Sequence, residues 1–332
     1  MKQPMKEALS TWLDHGGCEC IILLLARLVF MYDSTFIVSE KKGNWYAILS
    51  GLLYGLLGYF GMVLVGGGLS AVNVSFWRFS TSFLCMALIF LATRPKKLGP
   101  SRHYFRAFIN GALFYSAPST LFFIASQYIG TGQSMVIFFC FPAFVMMLNK
   151  ALYNNPIKPH YFASFAVIIA GLVMLVDIAE FGFDLIGVAL SLLSGVSYAF
   201  YVVFSKQVKL SALESTIMVS LGCATTSLIL ALATGTFVVP PQPMQWLHII
   251  GLAIISTAVP ILLMLEALKH ISSDRASLLA VLEPVATVIF GVILLHEQLT
   301  MKAAFGIGLT LLGAMSISVK WRGYLPVWMK RG

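Results

Sequence analysis

The chain has 332 residues, 59% of them hydrophobic and 11% charged, and a net charge of +9. Soluble domains carry about a quarter charged residues, and stretches 43–77, 107–149 and 215–265 contain no Asp, Glu, Lys or Arg at all. A large soluble fold is thereby excluded, because its exposed faces would have nothing polar to cover them. Such positive charge would point to nucleic acid in a soluble protein. Here it gathers between apolar stretches, where it reads as orientation in a membrane and not as a nucleic-acid partner.

Taken in order, residues 1–43 form an irregular amino-terminal segment. Its apolar run, 21–32, is interrupted by Arg27 and is short for a crossing. It reads as an interfacial helix or an appendage outside the packed unit. Helices are then predicted over 45–66, 70–92, 105–128, 131–153, 161–176, 185–205, 213–233, 246–268, 272–295 and 303–319. Each is close to the roughly twenty residues that cross a hydrocarbon core of about 30 Å. A basic tail, 321–332, follows. The expected fold is therefore an all-α polytopic membrane protein with ten transmembrane helices.

The loops orient these helices. With the amino terminus placed inside, the inner loops and chain ends hold seventeen Lys and Arg, from Lys41 and Lys42 to Arg331, and the outer loops hold only Lys302. That bias predicts a multi-pass protein of the cell inner membrane with both termini cytoplasmic.

The two halves repeat. Leu49-Ser50-Gly51 with Tyr54 recurs as Leu193-Ser194-Gly195 with Tyr198. Pro118 recurs as Pro260, Pro142 as Pro284 and Gly171 as Gly313, each 142 residues later. The chain divides into one five-helix repeat over 44–178 and a second over 179–320. Five helices per copy is odd, so the second copy enters the bilayer inverted, an arrangement common among secondary transporters.

Residues 45–319 resemble the EamA-like group of the drug/metabolite transporter superfamily. Ala276-Ser-Leu-Leu279, Leu282-Glu283-Pro284, Glu297-Gln298-Leu299-Thr300 and the glycine-bearing last helix match in order. Glu266-Ala267-Leu268, Trp77-Arg78-Phe79 and Pro142 add to the likeness. The first half departs from the pattern, since Leu152-Tyr153-Asn154-Asn155 carries no acid where the family often has Gly-Glu. The resemblance implies transport of a small solute. It does not imply which one, because family members move amino acids, metabolites, nucleotide derivatives or drugs.

Several residues are candidates for the work. Glu283 stands alone at mid-depth in an apolar helix, where an ionisable group faces a cavity or a partner. It is the candidate contact for a proton or a cationic solute. Arg78, eight residues into the second helix, is the candidate contact for a carboxylate or phosphate, or else part of a structural network. Tyr54, Tyr198, Trp77 and Gln133 are candidate lining residues, with Tyr115, Tyr201, Phe138 and Phe141 able to extend an aromatic surface. Pro118, Pro142, Pro260 and Pro284 each deprive a preceding carbonyl of its donor, and are candidate hinges facing the cavity. Glu266 is a candidate gate or anchor, with pairing to Lys269 or His270 as the local alternative. Asp274 and Arg275 read as a solvated boundary pair.

Enzymatic chemistry finds no footing: the six histidines are scattered, and neither H-E-x-x-H nor G-x-S-x-G occurs. Cys18-x-Cys20 has no companion ligands for a metal, and no cofactor is expected. The expected partners are the bilayer, a small organic solute and protons. The expected activity is secondary transport of an amino acid or related amphipathic metabolite by alternating access, with export or import of a drug, nucleotide-like or S-adenosyl compound as the alternative, and a channel or membrane enzyme behind it.

Overall fold

A computed structural model describes residues 39–93, 98–175, 184–295 and 298–318. The interfacial-helix reading of the amino-terminal segment, the basic tail and the acidic residues Asp177 and Glu180 fall outside them. The described chain is helical: α1 Glu40–Gly66, α2 Ala71–Thr93, α3 Ser101–Ile129, α4 Thr131–Tyr153, α5 Pro159–Leu175, α6 Leu185–Lys206, α7 Ala212–Ala233, α8 Pro243–His270, α9 Ser273–Leu294 and α10 Met301–Ser318. Eight are long and apolar enough to cross a membrane. The exceptions are α5 and α10, with 17 and 18 residues. At about 1.5 Å per residue α5 spans only ~25 Å.

Polar residues set the helix ends. Ser39 caps α1, which therefore begins earlier than the apolar run suggests. Asp184 accepts from the Gly187 amide to start α6. Ser211 and Glu214 form a reciprocal capping box at α7, satisfying two otherwise unpaired amides. Gly130, at φ 79°, makes the tight turn from α3 to α4 that a side chain would strain.

Leu84, Leu88 and Leu91 form an exposed stripe along α2, and Phe305, Leu312 and Met315 do the same on α10. Water would penalise these stripes and lipid tails accommodate them, as in a multi-pass membrane protein.

The main packing joins one half of the chain to the other: α1 with α8, α3 with α6, α2 with α7, and α5 with α10. Several contacts are made twice with the halves exchanged. The Ser50 hydroxyl of α1 donates to the Pro260 carbonyl of α8 at 2.8 Å, and the Ser194 hydroxyl of α6 donates to the Pro118 carbonyl of α3 at 2.9 Å. A methyl on Gly51 would sit 3.3 Å from the Ala280 carbonyl, and one on Gly195 would sit 3.0 Å from that of Phe138. Small residues let the backbones approach this closely. At the α2 and α7 ends, Ser70 receives the Asn73 amide and Ser211 that of Glu214, each at 3.1 Å.

Candidate functional site

Proline breaks position the site. Pro118 and Pro260 each follow a short π-helical segment, Asn110–Tyr115 in α3 and Ile254–Ala258 in α8. A proline removes the donor to the carbonyl four residues back, which falls inside the π segment in both helices, and the wider turn absorbs the defect. Pro142 and Pro284 act differently: α4 is interrupted at Phe139 and Cys140, and α9 at Val281. Protein groups meet the irregular backbone of α3, as a low-dielectric setting demands. Ala112 O accepts from Thr226 at 2.8 Å, and Gly111 O from the Cys223 thiol at 3.2 Å.

Between these breaks lies a packed aromatic cluster. The Tyr54 and Tyr115 hydroxyls are hydrogen-bonded at 2.8 Å. The Tyr115 ring lies 4.6 Å from Tyr201 and 6.0 Å from Tyr198, and Tyr198 stands edge-on to Phe141 at 4.7 Å. Phe138 and Phe79 complete the cluster. All four tyrosines are buried, two from each half.

Two opposite charges flank this cluster without touching. Glu283 begins the second part of α9, and the residue keeps partial exposure while Pro284, Val285 and Ala286 beside it are buried. It lies within electrostatic reach of Arg78, Tyr115 and Tyr198. Arg78 is 7% exposed, with its guanidinium 4.2 Å above the Phe79 ring. Its Nε has no hydrogen-bond partner among the described residues, and no carboxylate there lies within 4.0 Å of it.

The structure brings Glu283, Arg78, Tyr54 and Tyr198 together. It puts Trp77 elsewhere: the indole donates to Val238 O at 3.0 Å and packs with Trp246 and Phe237 in a separate cluster. Neighbouring residues on a helix point in different directions, so its adjacency to Arg78 in sequence was misleading. Gln133 is buried near the opposite end of α4 from Asn149, and its Oε1 is unpartnered among the described residues. Glu266 pairs locally with Lys269 at 2.9 Å and His270 at 3.5 Å.

Asp274 and Arg275 do not form the boundary pair expected of them. Asp274 is 9% exposed and accepts from the Asn149 amide, while Arg275 reaches Glu40 at 3.5 Å. A cavity of about 370 Å³ lined by Phe105, Arg106, Asn110, Tyr153 and Phe204 is a separate feature between α3, α4 and α6. Among the described residues no group of His, Cys, Asp and Glu is arranged to hold a metal.

The profile of the EamA-like transporter family matches residues 41–177 and, again, 185–319. The chain belongs to the EamA-like transporter family. A relative from Archaeoglobus fulgidus, described as an uncharacterized transporter, is 26% identical over 252 residues, which is 75% of this chain and 89% of that one. A solved crystal structure shares the fold with a TM-score of 0.71 at 17% identity, covering 84% of this chain and 96% of that one. This EamA-like protein, part of the drug/metabolite transporter superfamily, is a secondary transporter of a small molecule and not an enzyme.

Proposed function

We propose that the solute is a small amphipathic metabolite, an amino acid or a related zwitterion, held where the tyrosine cluster opens to admit it, between Glu283 and Arg78. The observation that carries this reading is a Glu283 carboxylate with no ion-pair partner among the described residues, set beside a tyrosine cluster that an equally unpaired Arg78 guanidinium also flanks. A solute with a cationic and an anionic group would satisfy both, and tyrosine faces suit an apolar body or an ammonium. Low dielectric disfavours a lone charged group, so Glu283 is also the group suited to exchanging a proton for the solute.

In this reading the halves 44–178 and 179–320 are inverted copies in the inner membrane with both termini cytoplasmic, and ten helices cross. The twofold use of Ser50 and Ser194 supports such symmetry. Pro118, Pro142, Pro260 and Pro284 are the flexing points around the cluster, Gln133 lines its outer approach, and Glu266 anchors the inner end of α8. Trp77 holds the outer end of α2 and does not meet the solute.

The test is counterflow in proteoliposomes with a solute panel spanning zwitterions, organic anions, cations and nucleosides. Zwitterions are expected to exchange saturably. Glu283→Gln is expected to lower the rate by about tenfold or more, the scale of one charge-assisted contact, and to flatten its dependence on pH. Unchanged rate, affinity and pH profile would remove Glu283 from the site. Exchange confined to nucleosides or cations would overturn the zwitterion.

A further inference from the structure

We infer that Asn149, Ser273 and Asp274 form a latch that shuts the cytoplasmic mouth of the carrier, and that the repeat-related positions at the outer mouth do not reproduce it. The inference rests on the alternating-access reading above. Its starting point is a polar cluster buried where polar groups would ordinarily be solvated. Asn149 closes the inner part of α4, and Ser273 and Asp274 open α9. They are 5%, 4% and 9% exposed. The Asn149 amide nitrogen donates to the Ser273 hydroxyl at 2.8 Å and to the Asp274 carboxylate. The Ser272 cap and the Asp274 carbonyl, which takes the Ser277 hydroxyl at 2.8 Å, hold this turn of α9 in shape.

The cluster joins the two halves at one depth only. The inner portions of α4 and α9, Phe141–Tyr153 and Ser273–Ala280, pack on each other. Their outer portions part company: Thr131–Phe138 packs mainly on α3 and α6, and Leu282–Leu295 mainly on α1. Accordingly Glu283, deep in the bundle, is more exposed than Asp274 at the inner mouth. Three further bonds reinforce the same face. Lys206 of α6 donates to Leu268 O and, at 2.9 Å, to Ile271 O at the end of α8, and Arg275 of α9 meets Glu40 of α1.

The repeat shows what the opposite mouth has to work with. At the 142-residue offset, Asn149 corresponds to Gly291, Ser273 to Thr131 and Asp274 to Gly132. Lys206 corresponds to Met62 at the 144-residue offset of its helix. Two glycines, a methionine and one threonine cannot rebuild a carboxylate–amide latch. At these repeat-related positions, closing the outer mouth gains packing alone, whereas closing the inner mouth also gains charge-assisted hydrogen bonds, about twice as strong as neutral ones. The empty carrier rests with its inner mouth shut, and loading must offset the latch before release to the other side.

The test uses full-length protein lacking its native cysteines, with Ala276→Cys as reporter. Ala276 is wholly buried, directly beyond the latch. A membrane-impermeant maleimide is applied to the cytoplasmic face of inverted vesicles. Slow labelling is expected in the parent, and labelling about tenfold faster or more in Asn149→Asp, where two carboxylates replace an amide–carboxylate bond. The swap Asn149→Asp with Asp274→Asn, which remakes the bond with its direction reversed, is expected to return the rate to the parent's. If Asn149→Asp does not fold, Asn149→Ala carries the same expectation for the single change.

Fast labelling in the parent, no acceleration in a folded single variant, or a folded swap that fails to restore protection would each overturn the latch. Counterflow on the same preparations separates the two readings. Its absence with the labelling pattern intact would sink solute transport and leave the latch standing.

Discussion

Arg78 concentrates the problem at the scale of a single residue. A guanidinium is always charged, and one buried without a counter-ion is costly. The Phe79 face offsets part of that cost, by about 0.5–2 kcal/mol, and Glu283 lies within reach of its field without forming a pair. A structural arginine would be hydrogen-bonded on every side, and the Nε of Arg78 is not. Arg78→Met keeps the length and apolar volume while removing the charge. Thermal unfolding of the purified variant is expected at the parent's temperature or above it, because replacing a buried charge by a hydrophobe is often neutral or stabilising. Counterflow is expected to fall by about tenfold or more, as for any lost charge-assisted contact. A variant that melts early yet still transports would make Arg78 a scaffold residue.

At the scale of elements, the paired serine bonds tie each proline-broken helix to the other half. Ser50→Ala and Ser194→Ala each remove one buried hydrogen bond to a carbonyl that keeps its second lone pair for the helix. Each is expected to cost about 0.5–1.5 kcal/mol, read as a fall in unfolding temperature. The two falls should be similar because the two bonds are near copies. A large fall for one and none for the other would mean that the halves do not share load at this joint. The serines show where sequence reading stops. Prolines, glycines and the 142-residue offset were legible because they act on their own helix and recur at fixed spacing. The π segments were not, although both prolines lie where the lost donor would require one: the chain can answer with a kink, a wide turn or a full break, and packing decides among them. Glu283 was legible as a lone acid in an apolar run. The Asn149–Asp274 contact was not, since the partners are 125 residues apart and nothing local marks their faces. Asp274 and Arg275 were misread for the converse reason, because adjacency in sequence is not adjacency on a helix.

At the scale of the whole molecule, function depends on which loops share a side. The bonds at the start of α7 and at the start of α2 are made alike but at opposite ends of the bundle. The Glu214 carboxylate accepts from the Gly99 amide at 3.0 Å and from Tyr104, next to the loop that leaves α2. Asn73 donates to Val238 O at 2.7 Å, in the loop that leaves α7. Each binds the loop leaving its partner helix, and a parallel duplication would put both on the same side. An inverted arrangement puts them on opposite sides, with the α2–α7 pair clasped at either end. Lys209 and Val239 are exposed in these two connecting regions. In intact cells an impermeant maleimide is expected to label Val239→Cys in a cysteine-free background and to spare Lys209→Cys until the membrane is opened, following the basic bias of the inner loops. Labelling of both from one side would remove the inverted arrangement, and with it the reason for two mouths around one site.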